Sequence, residues 1–434
     1  MGPCSVTVNA QARWLAPASD EPVHGVATAP GSKSITNRAL VLAALADRPS
    51  RLRAPLRSRD TDLMVAGLRA MRIDVREDGD DWAVTPSSPR GPAVVDVGLA
   101  GTVMRFLPPM ATLGVGRAAF DGDARARERP IGPLIHALRV LGADIDDGGR
   151  GALPFSIDGH GGLDGGTVEI DASSSSQLVS ALLLTGSRWE RGLRLVHVGD
   201  RPVPNAPHLR MTVSMLRARG VTVDDTAPGV WVVEPGAVSA RDEDVEPDLS
   251  SLAPFLAAAV VTGGSVTVPA WPAESCQPGA MLPELLAQFG AQWHIDDGTL
   301  LLSGGDLHGA DLDLRDAGEL TPVLAAVASL AGSPSTLTGI GYLRGHETDR
   351  IAALAGELSA LGADVDELAD GLAFRPAELS GGRFRSHADH RLVMAAAVVG
   401  LVTPGVDVDD ANAVTKTFPD FVERWSSFVS GAAS

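Results

Sequence analysis

Polar and apolar residues alternate along this chain in long blocks. Six times a small polar or charged cluster opens an Ala/Leu/Val-rich stretch of helical length: Ser32-Lys33-Ser34 to Leu45, Gly101-Thr102 to Leu113, Ser174-Ser175-Ser176 to Thr185, Ser250-Ser251 to Val261, Glu319-Leu320-Thr321 to Leu330, and Asp389-His390-Arg391 to Leu401. With Ser34, Thr102, Ser176, Ser251, Thr321 and His390 as markers, the steps are 68, 74, 75, 70 and 69 residues, which marks an internal repeat. Behind most markers a second helix ends in glycine before a strand, as in Leu141-Gly142-Ala143, Arg219-Gly220-Val221, Phe289-Gly290-Ala291 and Leu361-Gly362-Ala363. The first unit departs from this, because Arg72 fills the glycine slot of Met71-Arg72-Ile73.

Each unit therefore reads as strand, helix, strand, second helix and one or two further strands. The predicted fold class is α/β (α+β), with six units closing into two lobes of three instead of a linear array. Units related by rotation would aim their helix starts one way, into a cleft between the lobes, where their dipoles add to the field of nearby cations.

At 434 residues the length suits two or three lobes, and with 44% of residues apolar a full core is available. A formal charge of -18 argues against nucleic acid as a partner, since its phosphates demand a basic face. An anionic ligand would have to be met by local cations. The longest apolar run, Leu392 to Val402, is too short for a bilayer and predicts a buried helix. Two cysteines, Cys4 and Cys276, make no disulfide framework, and a cytoplasmic location is expected.

The most informative stretch is Pro30-Gly31-Ser32-Lys33-Ser34-Ile35-Thr36-Asn37-Arg38. A turn dipeptide runs into a helix that a serine can cap, and its free N–H groups with Lys33 and Arg38 suit a phosphate or carboxylate. Ser34 and Arg38, four apart, share a helix face. A P-loop is excluded because Ser32 stands where glycine must precede the lysine. His346-Glu347 begins like H-E-x-x-H, but Arg350 holds the fifth place, and no metal is expected there. His387 and His390, three apart, could share a helix face. Cys4 in the N-terminal tail and Cys276 in a Pro-rich loop are poor candidates for a nucleophile.

Seven motifs in this order resemble the 5-enolpyruvylshikimate-3-phosphate synthase family: Pro30-Gly31-Ser32-Lys33-Ser34 with Asn37-Arg38, Ala100-Gly101-Thr102 with Met104-Arg105, Glu128-Arg129-Pro130-Ile131-Gly132, Ser175-Ser176-Gln177, Glu347-Thr348-Asp349-Arg350, Asp389-His390-Arg391, and Thr415-Lys416-Thr417-Phe418-Pro419. The resemblance runs from about Pro30 to Pro419. It implies transfer of the enolpyruvyl group of phosphoenolpyruvate to the 5-hydroxyl of shikimate 3-phosphate, with no metal or organic cofactor, by a monomer sensitive to glyphosate. It implies that Lys33, Gly101, Arg129, Gln177, Arg350, Arg391 and Lys416 meet phosphoenolpyruvate. Shikimate 3-phosphate would meet Lys33, Ser34, Arg38, Ser175, Ser176, Gln177, Asn205, Glu319 and His346. Glu319 resembles the base for the hydroxyl, with Asp316 as a rival that the helix register disfavours. Glu347 and Lys416, with Lys33, resemble the groups that handle the proton at the methylene carbon, and which acid donates stays open. The family's plan implies one lobe of residues 28–245 and another of 1–27 plus 246–434, hinged near Ala29-Pro30 and Glu246-Pro247.

Departures fall at His346 for a frequent lysine, Leu99 for asparagine, and Asn205 and His208 for serine and tyrosine. His346 replaces a permanent cation by one expected to titrate near neutrality. Two other readings stay open: the related transferase acting on a UDP-linked amino sugar, which usually carries a cysteine in the loop that here reads Asp123 to Arg129, and a catalytically silent anion-binding protein.

Overall fold

The computed structural model describes residues 13–431; Cys4 lies outside them. In chain order the helices are α1 (Lys33–Leu45), α2 (Arg59–Ala70), α3 (Gly101–Ala111), a short α4 (Ala124–Glu128), α5 (Gly132–Val140), α6 (Ser176–Gly186), α7 (Ala206–Arg217), α8 (Ala253–Thr262), α9 (Leu282–Ala287), α10 (Thr321–Ser329), α11 (Arg350–Ala360), α12 (His390–Val402) and α13 (Phe421–Val429). Every marker of the repeat lies within two residues of the start of α1, α3, α6, α8, α10 or α12. These six helices are apolar on nearly all sides and are buried almost throughout, as a helix without a polar face must be. The second helices bury only a stripe, such as Phe421, Trp425 and Phe428 of α13.

Two separate hydrophobic cores result. In one, between Ile35 and Val245, α1, α3 and α6 pack against one another; in the other, built from Ala16 to Ala27 and Leu249 to Phe428, α8, α10 and α12 do the same. Among the described residues the strands form six sheets, one per unit. In the second unit Ala93–Asp96 lies parallel to Val115–Asp121, Phe155–His160 pairs antiparallel with the latter, and Asp144–Asp146 folds back on the last. The third and fifth units repeat this order.

The first and fourth units exchange their leading strands. His24–Val26 precedes α1 but pairs with Ser265–Val268 of the fourth unit, and Glu243–Asp244 precedes α8 but pairs with Ser50–Arg53 of the first. The two crossings between cores touch: Ser32 N donates to Glu246 O at 2.8 Å and Asp248 N to Pro30 O at 2.8 Å. Trp14–Leu15 completes the sixth sheet on Asp407–Val408.

The turn after the second helix has one conformation in five units. Gly142, Gly220, Gly290 and Gly362 have φ of 104°, 76°, 103° and 102°, and Arg72 in the same slot takes φ 70°. The packing of the repeat holds even a side-chain-bearing residue in the left-handed region there.

Candidate active site

The starts of the first helices converge on one cavity between the two cores. It encloses roughly 1030 Å³ with its mouth and is lined by Lys33 and Ser34 of α1, Gly101 and Thr102 of α3, Ser175, Ser176 and Gln177 at α6, Glu319 before α10, and His390 and Arg391 of α12. The expected serine cap on α1 is absent: Ser32 makes no side-chain cap bond, and Ala100 before α3 offers none. At α1 the Lys33 N–H reaches a carboxylate from outside the helix, Asp248 Oδ2 at 3.4 Å, and neither helix start is closed by its own capping side chain, an arrangement that favours an anion. At α6 and α12, Ser175 and Asp389 do cap their helices, accepting from Gln177 N at 3.2 Å and Arg391 N at 2.9 Å.

Lys33 and Lys416, nearly four hundred residues apart, meet at one carboxylate oxygen. Each ammonium lies 3.7 Å from Asp60 Oδ2, and Lys416 Nζ also donates to Glu347 Oε1 at 2.6 Å. Asp60, the second residue of α2, is buried; its role was not evident from sequence. Burial pulls Lys33 below the ordinary lysine value, with Asp60 offsetting only part of this. For Lys416 burial acts the same way, but Asp60 and Glu347 outweigh it and hold the group above the ordinary value. Burial alone would raise the Glu347 carboxyl, yet Lys416, Arg350 and Arg129 together hold it well below the usual carboxylate range. Arg350 completes this cluster, with Nη2 at 3.1 Å from Glu347 Oε2 and two bonds of 2.7 and 3.1 Å to Asp389.

Three other buried guanidinium groups that line the cavity have no carboxylate partner among the described residues. Arg105 donates to Gly101 O, Gln177 Oε1 and Pro130 O, Arg129 to Leu99 O at 3.0 Å, and Arg391 to Ser250 O at 2.8 Å. The Nε atoms of Arg105 and Arg129 have no acceptor among the described residues. Burial, reinforced by neighbouring Arg129, pushes Arg105 well below the usual arginine value. Gly101 sits between them: a Cβ there would lie 2.8 Å from both Arg105 Nη1 and Arg129 Nη2. Buried charges left this way favour anions.

Across the cavity Glu319 accepts a hydrogen bond from Ser250 Oγ and lies 3.7 Å from His208 Nε2. Burial opposes its ionisation, but His208, Arg391 and the Ser250 bond prevail and lower its pKa. His208 is itself pushed down to about 4, chiefly by burial. Asp316, the rival acid, does not line the cavity; its Oδ1 accepts from Ala206 N at 3.0 Å and so caps α7 from the other core. Asn205, in the left-handed region at the start of α7, accepts from Tyr342 Oη at 3.0 Å.

Several expectations need correction or refinement. Arg38 does not line the cavity: it is buried within its own lobe, where Thr212, the Ser34 carbonyl, Ser180 and the His208 carbonyl take its donors. Lys416 stands just behind the lining, through Glu347. His346 lines the cavity but is not a group that titrates near neutrality, because burial and then Arg350 force it well below the ordinary histidine value. His387 is not on the helix of His390, which starts at His390 itself. Asp60, Arg105, Asp248, Gln277 and Tyr342 also line the site; of these only Arg105 belonged to a recognised motif.

A cation-rich cleft between two repeat-built lobes, with carboxylates on both walls, defines an enzyme that works on small polyanions. The family model described as EPSP synthase (3-phosphoshikimate 1-carboxyvinyltransferase) matches residues 17–425. A protein of Mycobacterium ulcerans (strain Agy99) named 3-phosphoshikimate 1-carboxyvinyltransferase is 49% identical over 428 residues, covering 97% of this chain and 98% of its own. Two solved structures of EPSP synthase from Acinetobacter baumannii superpose with TM-scores of 0.79 and 0.76 at 25% and 26% identity; they cover 97% and 95% of this chain and 98% and 97% of theirs. The chain belongs to the EPSP synthase family.

Among the described residues no helix is long and apolar enough to cross a membrane.

Proposed function

We propose that the chain transfers the enolpyruvyl group of phosphoenolpyruvate to the 5-hydroxyl of shikimate 3-phosphate and releases phosphate, on the route to chorismate and the aromatic amino acids. The observation that carries this reading is the set of buried cations without carboxylate partners, Arg105, Arg129 and Arg391, beside two lysines that share one aspartate. Lys33, Arg129, Arg350, Arg391 and Lys416 neutralise phosphoenolpyruvate, and Gly101 and Gln177 shape its seat. Ser34, Ser175, Ser176, Asn205 and His346 hold shikimate 3-phosphate, while Arg38 contributes by its field and by fixing Ser34.

Glu319 takes the proton of the 5-hydroxyl as that oxygen attacks C2 of phosphoenolpyruvate, and C3 gains a proton to become a methyl group. In the return half C3 gives up a proton, the C2 bond to the phosphate oxygen breaks, and the double bond re-forms. Glu347 faces the cavity and exchanges this proton, with Lys416 behind it. The negative charge of bound phosphoenolpyruvate offsets the cations that depress Glu347, which lets the carboxyl carry a proton at the moment it is needed. Guanidinium forks and helix starts are already in place for the charge that develops on phosphate.

On this reading the lobes are residues 28–245 and 1–27 plus 246–434. The enzyme so read works as a monomer in the cytoplasm. A phosphate-release assay with phosphoenolpyruvate tests the proposal, run once with shikimate 3-phosphate and once with a UDP-linked amino sugar. Release with the former alone is expected. Release with the sugar alone would replace this reading, and none with either would leave an anion-binding protein.

A further inference from the structure

Immediately before the site residues Asp389, His390 and Arg391 the backbone is strained. His387 and Ala388 are consecutive non-glycine residues in the left-handed region, with φ of 51° and 54°. Both are exposed, so no core packing forces them there. Asp409 Oδ1 accepts from Ser386 N at 2.9 Å, and the residues on either side of Ser386 are held by Glu357, whose buried side chain is only 2% exposed. Its Oε2 accepts from Arg385 N at 2.9 Å, and its Oε1 accepts from Arg385 Nε and His387 Nε2, each at 2.8 Å. A buried carboxylate with three donors on one short segment fixes that segment's path.

Glu357 lies on α11 seven residues after Arg350, so the two share a face about 10 Å apart along the axis. Arg350 grips Asp389 at the far end of the same segment. Helix α11 is thus a splint that holds residues 385–389 at two points and sets the direction in which α12 presents Arg391 to the cavity.

We propose that Glu357, outside the cavity, is a positioning residue for the phosphoenolpyruvate half of the site, acting by holding His387 and Ala388 in their strained conformation. This rests on the reading of the site given above. The substrate that Arg350 and Arg391 meet should feel its loss, and shikimate 3-phosphate should not.

The test is Glu357→Gln, which keeps size and loses the charge-assisted bonds. Its KM for phosphoenolpyruvate is expected to rise by about tenfold, with that for shikimate 3-phosphate changed by less than about twofold. Adding Ala388→Gly, which makes the left-handed conformation free of strain, should recover most of the loss. Hydrogen exchange of the ligand-free chain gives a readout independent of turnover: amides from Ser386 to Arg391 should exchange faster in Glu357→Gln while α11 stays protected. Unchanged exchange there overturns the proposal whatever the activity. So does a rise of both KM values together that Ala388→Gly leaves in place, which would mean general loosening. An active wild type with an unaltered Glu357→Gln variant sinks this inference alone, whereas an inactive wild type sinks the reading of the function.

Discussion

At the scale of single residues the site is decided by close approach. A methyl group at Gly101 would meet Arg105 Nη1 and Arg129 Nη2 at 2.8 Å and Gln177 Oε1 at 3.0 Å, so both guanidinium groups must retreat. Gly101→Ala should weaken glyphosate inhibition by about tenfold or more, the usual size of an overpacking effect, and raise the KM for phosphoenolpyruvate in the same direction. An inhibition constant equal to that of the wild type would refute this. Residues such as Lys33, Arg129 and Arg391 could be read from sequence because each sits in a local motif of unusual composition. Asp60 could not, since Arg59-Asp60-Thr61-Asp62 has the look of any helix start with acids in its first turn. Only the fold reveals that this acid lies under two lysines from opposite ends of the chain. Arg38 shows the converse: it lies on Ser34's helix four residues on, but Thr212 and Ser180 from later units turn its guanidinium inward, and no local pattern announces them.

At the scale of elements, the seventy-residue period carried most of the fold, because a first helix buried on all sides needs an unbroken apolar run. The exchange of leading strands was not legible in the period; only the family's lobe plan, with residues 1–27 joined to 246–434, pointed to it. His24–Val26 and Glu243–Asp244 are two to three residues long, and which sheet each joins is set by partners about 240 and about 190 residues away in the chain. The repeat also exposes an element that departs from its own rule. Arg72 is exposed and holds φ 70° where four other units use glycine. Arg72→Gly should therefore stabilise the chain by about 0.5–1 kcal/mol, the relief of left-handed strain exceeding the entropy that glycine adds to the unfolded state. Urea midpoints would check it, and a midpoint lower than that of the wild type would show that the Arg72 side chain contributes something the backbone argument omits.

For the whole molecule, two electrostatic effects predict opposite responses to acid. With a formal charge of -18 the folded chain repels itself, and protonation should relieve that strain. Against this stand three histidines that the fold keeps neutral: His208, pushed down to about 4, and His346 and His390, both held well below the ordinary 6.5 by burial first and neighbouring cations second. Their folded values lie below their unfolded ones, so below about pH 6.5 the unfolded chain binds protons that the native chain refuses, and stability falls as pH falls. The slope approaches roughly 1.4 kcal/mol per pH unit for each such group. His346, whose side chain is a quarter exposed, should contribute least. Glu319 and Glu347, with lowered pKa values, act in the same direction below the ordinary glutamate range, and Asp248, raised by burial, acts against them. Surface repulsion is screened within about 8 Å at physiological salt, while the buried histidines are not, so the histidines should win. Urea midpoints are expected to drop between pH 7 and 5, and less steeply in His390→Asn. Phosphoenolpyruvate and shikimate 3-phosphate should flatten the drop, since their charges favour the protonated rings. A midpoint that stays level or rises over this range would mean that relief of the acidic chain's self-repulsion outweighs the neutral histidines, and that these rings carry less of the acid response than their burial implies.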